Sequence, residues 1–265
     1  MATYFKITNS EEIHNGFVYT DGLNVLLEPF NNDPNESCVA GGFYFTTLEY
    51  INKFYSYGVN LREVFLPTDD PEFKMIKDPQ GDKWRANKII LGKKYSLYDP
   101  KTYELGLDMT RNNKIIDLAS KHGNIEFLEW WKKSALELKY SIDSMDLASR
   151  NGHVNVLEWW HKSGLELKYS TDTMDSASRN GHVNVLEWWH KSGLELKYFN
   201  LAIDLASSNR HVNVLEWWHK SGLELKYSTD SIDLASRNGL TDIREWWHKS
   251  GLKYSPQIFN KKLNI

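Results

Sequence analysis

The stretch NGHVNVLEWWHKSGLELKY occupies residues 151–169, and the same letters return at 180–198. A near-identical copy, RHVNVLEWWHKSGLELKY, follows at 210–227. The Trp-Trp pair inside it occurs five times along the chain, always 29 residues apart. A fixed period of this length predicts stacked repeat units that cannot bury their apolar faces alone. The predicted repeat core comprises Trp130, Trp131, Trp159, Trp160, Trp188, Trp189, Trp217, Trp218, Trp246 and Trp247.

Each unit is predicted to contain two short helices. In the unit quoted first, one helix covers Ser144 to Asn151 and the other runs from about Val154 to Ser163. Gly152 and Gly164 follow them, where a helix commonly ends in a left-handed residue. The apolar arc of the second helix is wide, as expected for a helix between two neighbours. The segment LELKYST then alternates apolar and polar residues, which predicts an extended connector.

Departures from the unit occur at its glycines and in its last copy. Ala135 and Arg210 stand at glycine positions, where a left-handed conformation would cost roughly 1 kcal/mol unless the loop adjusts. Thr241 and Arg244 replace the valine and leucine of earlier second helices. A terminal unit needs such a polar outer face, because nothing stacks upon it. We therefore expect the fifth unit to cap the array.

The first 98 residues contain no repeat and are richer in Phe, Tyr, Pro and Asp. Turn and strand signals predict a small α+β leader domain of a size near the lower limit for a self-sufficient core. The predicted elements are a hairpin over 17–30 turning at Asp21-Gly22, strands over 41–47, 61–67 and 88–91, and a helix over 47–58.

The predicted domain organisation has two parts, the leader at 1–98 and a repeat domain at 99–265. Asp99-Pro100 reads as a helix N-cap followed by proline, and it opens a half-unit over 99–111. Five repeats are predicted over about 112–251, and a tail follows over 252–265. The predicted fold class is mainly α, with a short α-solenoid of helix–loop–helix repeats preceded by the small α+β domain.

The run ASRNGHVNVLEWWHKSGLEL at 148–167 resembles the ankyrin-repeat pattern, with its helix–glycine–helix–glycine core. Near-identical tandem units resemble the large ankyrin families of giant DNA viruses that infect amoebae, mimivirus-like proteins among them. The segments NESCVAGGFYFTTLEYINKFYSYGVNLREVFLP and GDKWRANKIILG resemble the leader domain of such proteins. The unit is four residues shorter than the family's 33, and the missing residues fall in the connector. The resemblance therefore implies a non-enzymatic binding protein with truncated hairpin fingers.

Two ladders of polar residues repeat with the same period. One is an aspartate near each first-helix start, at Asp117, Asp146, Asp175, Asp204 and Asp233. The other is a histidine after each Trp-Trp pair, at His161, His190, His219 and His248. Equal spacing along a stack, about 10 Å per unit, argues against convergent catalytic carboxylates or a shared metal ion. We expect hydrogen bonding near helix starts for the aspartates, hydrogen bonding between repeats for His153, His182 and His211, and no metal or cofactor.

Composition excludes several classes of function. The net charge is −3, which does not favour binding driven by phosphate neutralisation, so no nucleic-acid partner is expected. No apolar stretch approaches the roughly 18 residues that span a bilayer. The single cysteine, Cys38, fits a reducing compartment, and no secretory signal is visible at the start. These features predict a cytoplasmic protein, in the host cytoplasm if it is viral.

The first functional hypothesis is a protein–protein interaction scaffold or adaptor, monomeric or weakly self-associating, whose partner the sequence does not identify. Its surface is predicted at first-helix and connector positions that vary between otherwise identical units. The candidate binding residues are Asp143, Ser144, Asp172, Thr173, Leu201, Ala202, Asp230 and Ser231. A further possibility is a partner surface formed by a stripe of half-exposed tryptophans.

Two alternatives remain open. The leader domain could be a small-ligand-binding or enzymatic module targeted by the repeats, and a pocket with convergent polar groups would favour this. The polar cluster Asp69, Asp70, Asp78 and Asp82–Arg85 could form a ligand-binding loop or a solvated turn. The other alternative is a self-assembling structural component built by end-to-end stacking.

Overall fold

A computed structural model describes residues 4–137, 139–228, 231 and 239–253 of the chain. Two compact units are present. One runs to Ile116 and includes Ser134–Lys139, and the other comprises Asp117–Lys133 and the chain from Tyr140 onward. The predicted functional boundary between 98 and 99 stays a prediction.

The first unit is built on a seven-stranded antiparallel sheet in the order β4-β9-β6-β1-β5-β8-β7, beside a two-stranded β2-β3 pair. Its strands are β1 Tyr4–Thr8, β2 Ile13–His14, β3 Phe17–Val18, β4 Gly22–Val25, β5 Phe43–Thr47, β6 Asn60–Phe65, β7 Met75–Lys77, β8 Trp84–Ala86 and β9 Lys88–Ser96. Side chains of the sheet, including Phe43, Phe45 and Ile89, form a core together with Tyr19. Three 3₁₀ helices, Ile51–Tyr57, Pro100–Leu105 and Met109–Arg111, complete the described part of this unit.

The predicted hairpin over 17–30 is wrong. β3 pairs with β2, whereas β4 pairs with β9, so the runs flanking Asp21-Gly22 join different partners. A turn signal specifies a local reversal, but the pairing of the following strand depends on distant residues. The predicted helix over 47–58 is a 3₁₀ helix over Ile51–Tyr57. Gly58 ends it with extended φ, at a point where a Cβ would lie 2.0 Å from the carbonyl oxygen of Thr8.

The predicted mainly-α fold class is wrong for the chain as a whole. The large sheet of the first unit makes the protein a mixed α and β structure with a helical C-terminal region. Periodicity predicts the helices because they repeat, whereas seven of the nine described strands have only two to five residues and leave a weak pattern. The predicted start of β9 at Lys88 is right, but this strand continues to Ser96.

The helical repeats have the predicted alternation of short helices. Their bounds are α1 Ile115–Lys121, α2 Ile125–Ser134, α3 Asp143–Arg150, α4 Val154–Lys162, α5 Asp172–Arg179, α6 Val183–Lys191, α7 Leu201–Ser208, α8 Val212–Lys220 and α9 Thr241–Ser250. α3 begins one residue before the predicted Ser144, and α4 begins at the predicted Val154. Asp99 caps the 3₁₀ helix that follows it by accepting from the backbone N–H of Lys101 at 3.0 Å, which confirms the predicted cap.

The loops do not adjust where glycine is replaced. Ala135 has φ of 56° and Arg210 has φ of 65°, both in the left-handed region. At the standard positions Gly152 and Gly164 have φ of 79° and 74°. The two substituted units therefore keep the shape of the repeat in spite of the steric cost of a Cβ in this conformation.

Candidate interaction surface of the repeats

Indole groups connect each repeat to the one before it. The second tryptophan of every pair is buried, and four of these indoles donate to a buried serine in the first helix of the preceding unit. Trp189 Nε1, for example, donates to Ser149 Oγ at 3.0 Å. The corresponding bonds are Trp160 to Ser120, Trp218 to Ser178 and Trp247 to Ser207. Each apolar ring is thereby buried with its N–H satisfied, as a buried tryptophan requires.

The first tryptophan of three of these pairs contributes a second connection to the preceding repeat. Trp188 Nε1 donates to Glu158 at 2.8 Å, and Trp159 and Trp217 make the same bond to the preceding glutamate. Trp130, Trp188 and Trp217 are half-buried, whereas Trp159 and Trp246 are buried. Most first tryptophans are thus engaged between repeats, and only the half-buried Trp130, Trp188 and Trp217 leave part of their indole open to solvent.

Connector residues also reach across the units. The hydroxyl of Tyr169 donates to the carbonyl of Glu195 at 3.2 Å, and Lys197 Nζ lies 4.5 Å from the centre of the Tyr169 ring. Equivalent tyrosine bonds join Tyr140 to Glu166, Tyr198 to Glu224 and Tyr227 to Lys253. The extended LELKY segment is therefore held by hydrogen bonds and cation–π contacts rather than by a β-hairpin finger.

Glycine and histidine pack against each other between units. A Cβ at Gly152 would lie 3.0 Å from Nδ1 of His182, and Gly181 faces His211 in the same way. Burial lowers the pKa of His182, which also hydrogen-bonds the backbone of Arg150 in the preceding repeat. At the last junction both partners change together, because Arg210 replaces the glycine and Leu240 replaces the histidine.

The aspartate ladder joins first helices to the next connector. Asp117 accepts from the backbone N–H and hydroxyl of Ser141, at 2.9 and 2.7 Å, and from Ser144 Oγ at 2.6 Å. Asp146 accepts from the same two groups of Ser170, and Asp204 accepts from Ser228 and Ser231. The predicted hydrogen-bonding role is confirmed for these aspartates, while Asp233 lies outside the described residues.

Asp175 departs from this pattern. Its connector carries Phe199 where other units carry serine, and Ala202 where they carry serine or threonine. Among the described residues, only the Phe199 backbone N–H therefore donates to Asp175, at 3.1 Å. The other carboxylate oxygen, Oδ2, is buried without a donor among the described residues. Burial raises the pKa of Asp175 to about 6. A buried carboxylate that lacks donors is destabilising, so the change at this connector weakens the fold locally.

The same connector carries exposed apolar side chains. Phe199 is 57% exposed and Leu201 is 47% exposed, at the start of α7. Other units place serine and aspartate at these two positions. Ile142 is the remaining exposed large apolar side chain among the described residues of the second unit. We call Phe199 and Leu201 the connector patch.

Half of the predicted binding positions are not on the surface. Ser144, Thr173, Ala202 and Ser231 are buried, so the prediction that they form a binding surface is wrong. Ser144, Thr173 and Ala202 are the second residues of α3, α5 and α7. Ser144 and Ser231 donate to Asp117 and Asp204, so variation at these positions changes the packing of the repeat. Asp172 and Leu201 are exposed, Asp143 is half-buried, and Asp230 lies outside the described residues.

Sequence reasoning gave no role to Phe199, although its signal was visible. The connector triplets read Ser-Ile-Asp, Ser-Thr-Asp and Phe-Asn-Leu at 141–143, 170–172 and 199–201. An apolar pair replaces a polar pair only in the last of these. The informative change between units is the one that exposes apolar area and removes buried hydrogen bonds together.

The histidine ladder has an aromatic environment. His161, His190 and His219 are exposed, and each meets the first tryptophan of the next unit edge-on at 5.9 Å between ring centres. Within the described ranges, no group of three or more His, Cys, Asp or Glu side chains is arranged to hold a metal ion. Nor does any described helix combine the length and apolar character needed to cross a membrane.

Together these features define a helical repeat region whose units are joined by tryptophan, aspartate and tyrosine hydrogen bonds. No family model matches the chain. Ankyrin repeat protein R868 of Acanthamoeba polyphaga mimivirus is 48% identical over 130 residues, which cover 48% of this chain and 64% of that protein. Uncharacterized protein R869 of the same virus is 45% identical over 130 residues, which cover 47% of this chain and 94% of R869.

Ankyrin repeat protein R896 of this virus is 39% identical over 140 residues, which cover 51% of this chain and 42% of that protein. The alignments thus span less than two thirds of R868 and R896 but nearly all of R869. The chain belongs to the mimivirus-like ankyrin-repeat proteins. Membership implies a role in protein interaction, in a family that is typically non-enzymatic.

Proposed function

We propose that this chain is a protein-interaction scaffold that binds a host or viral protein through its repeats, with the connector patch as the main contact. The observation that carries the proposal is the pairing of two changes in one connector. Phe199 and Leu201 expose apolar area, and Phe199 and Ala202 together deprive Asp175 of its hydroxyl donors. Natural sequences break a local rule of stability most often where a function requires it.

The connector patch has the chemistry of an interaction hot spot. A phenylalanine and a leucine two residues apart offer apolar area to a partner, and Lys197 and Asn200 nearby in the sequence are polar. Asn200 lies between them and is exposed, and in the preceding unit the exposed Asp172 occupies the position of Leu201. A partner with an apolar side chain and a polar rim would match this arrangement.

We propose that the protein acts in the cytoplasm. If the chain is viral, this is the cytoplasm of the host cell. A membrane-spanning helix is absent from the described residues, and the mimivirus relatives favour an encounter with amoebal proteins. The proposed division keeps residues 1–98 as a leader domain and assigns binding to the repeats within 99–265.

The direct experiment is affinity capture from Acanthamoeba lysate with the full chain, wild type against the double variant Phe199→Ser/Leu201→Asp. The variant introduces serine and aspartate, which the chain itself carries at the equivalent positions 170 and 172 of the preceding unit. The repeat is therefore expected to remain folded. Quantitative mass spectrometry should find proteins held by the wild type and reduced at least tenfold by the variant.

Ile142→Thr is the matched control, because it also removes an exposed apolar side chain and introduces the residue found at 171. Capture should be unchanged by this control. Equal capture by the wild type and Phe199→Ser/Leu201→Asp would contradict the proposed role of the connector patch.

A further inference from the structure

The first unit contains a cavity at the point where two neighbouring strands separate. β1 and β5 are paired only through Tyr4 with Thr47 and Phe5 with Thr46. Beyond these pairs the two strands diverge, and residues of both line a cavity of about 350 Å³. This volume falls at the lower end of the range for small-molecule sites. The cavity is therefore large enough for a small organic molecule.

A buried lysine provides the charge of the cavity. Lys6 is 6% exposed, and its Nζ donates to the carbonyl of Tyr44 at 2.9 Å and lies 4.8 Å from the centre of the Tyr19 ring. An ammonium carries three donors, and this bond uses one of them. No carboxylate in the described part of the chain forms an ion pair with Lys6. Burial lowers the pKa of Lys6 to about 8, so the group remains mostly charged at neutral pH.

A second polar group beside it also lacks a partner. Thr8 lines the same cavity from the same strand, and its Oγ1 is buried without a hydrogen-bond partner among the described residues. Lys6 and Thr8 are two apart in β1, so their side chains leave the strand on the same face. A buried charge and a buried hydroxyl that both have unused hydrogen-bonding capacity indicate a missing acceptor.

The other lysine of the cavity is already neutralised. Lys83 Nζ lies 3.5 Å from Asp78 and 4.0 Å from Asp82, and it donates to Gln80 at 2.9 Å. Lys6, by contrast, forms no ion pair among the described residues, and Glu12 compensates its charge only by attraction at longer range. Apolar side chains, including Ile51 and Phe54, line the remainder. One positive charge beside apolar walls suits a singly charged acid better than a phosphate.

We propose that this cavity binds a small monocarboxylate with an apolar body, its carboxylate held by Lys6 Nζ and Thr8 Oγ1. The apolar body would contact Ile51 and Phe54. A carboxylate would supply the acceptor that both groups lack, and a charge-assisted hydrogen bond would compensate for the burial of the ammonium. This assigns a ligand-binding site to the leader region, apart from the interaction proposed for the repeats.

Calorimetric titration of the full chain tests the proposal with a fixed set of probes: acetate, hexanoate and phenylacetate, the amides of the last two, and inorganic phosphate. Hexanoate or phenylacetate should bind. The affinities of the corresponding amide, of acetate and of phosphate should each be at least tenfold lower. Absence of binding by all three carboxylates would overturn the proposal, and so would equal binding of the amides or tighter binding of phosphate.

Variants locate the site. Lys6→Met keeps the length of the side chain and removes the charge, and Thr8→Val removes only the hydroxyl. Both should reduce carboxylate affinity at least tenfold, while Lys74→Met, an exposed lysine outside the cavity, should leave it unchanged. Circular dichroism checks the fold, and Thr8→Val remains decisive if Lys6→Met fails to fold. Full affinity in a folded Thr8→Val variant would contradict the proposed carboxylate position.

Discussion

Phe199 donates its backbone N–H to Asp175 at 3.1 Å but has no hydroxyl to offer the second carboxylate oxygen. Its counterpart Ser170 gives Asp146 both a backbone and a side-chain donor. The surroundings otherwise repeat nearly letter for letter, so the chain contains its own comparison. One connector has weaker internal hydrogen bonding and greater apolar exposure than its neighbours, which is the basis of the proposed interaction site.

Restoring the serines should stabilise the protein. We expect Phe199→Ser/Ala202→Ser to raise the free energy of unfolding by about 1–3 kcal/mol, since a buried carboxylate regains hydroxyl donors. Chemical denaturation measures the effect. The reverse change, Ser170→Ala beside Asp146, should lower stability by about 1–2 kcal/mol. A neutral or destabilising result for the double variant would show that Asp175 does not limit stability.

Stability should depend on pH through Asp175. Its pKa in the folded chain is about 6, raised by burial above the ordinary value near 4. Between these values the folded chain holds more protons than the unfolded chain, so stability falls as pH rises from about 4 to about 6. Asp175→Asn cannot titrate and should lose less stability over this window. Parallel pH profiles of the two proteins would refute the assignment.

The indole–serine bond should be worth more than an ordinary serine contact. Ser149→Ala leaves the Nε1 of the buried Trp189 without its acceptor, and we expect a loss of about 1–3 kcal/mol. Ser208→Ala is the control, because its hydroxyl donates to Leu205 within the same helix. That change should stay within about 0.5 kcal/mol. Equal losses from both variants would count against a coupling between repeats through the indole.

A comparison of alanine substitutions at two glycines distinguishes the stability cost of backbone strain from that of packing between repeats. Gly152 and Gly164 have nearly the same left-handed φ, but a Cβ at Gly152 would lie 3.0 Å from the His182 ring, and one at Gly164 would meet nothing within 4 Å. Gly164→Ala should cost roughly 1 kcal/mol from strain alone. Gly152→Ala should cost more, by about 1 kcal/mol or above, because overpacking adds to the strain. Equal melting temperatures of the two variants would contradict this.

The sequence predicted the repeated helices well because every unit carries the same signals. Helix periodicity and the glycine stops recur, and α4 begins at the predicted Val154. The family resemblance likewise followed from the repeated core. The sheet of the first unit was underestimated, since strands such as Phe17–Val18 are too short to leave a pattern and pair with residues far along the chain.

The candidate site was predicted only in part. Variation between units drew attention to Leu201, which is exposed, but equally to Ser144 and Thr173, which are buried. Neighbouring positions at the start of a helix point in different directions, and periodicity over eight residues does not fix which of them faces inward. The cavity beside Lys6 could not be predicted, because it depends on where two strands stop pairing.

The most direct measurement follows stability and partner capture together in Phe199→Ser/Leu201→Asp. If the connector patch sacrifices stability for binding, this variant gains stability in chemical denaturation and loses the proteins captured by the wild type. A variant that gains no stability and still captures the same proteins would contradict the account.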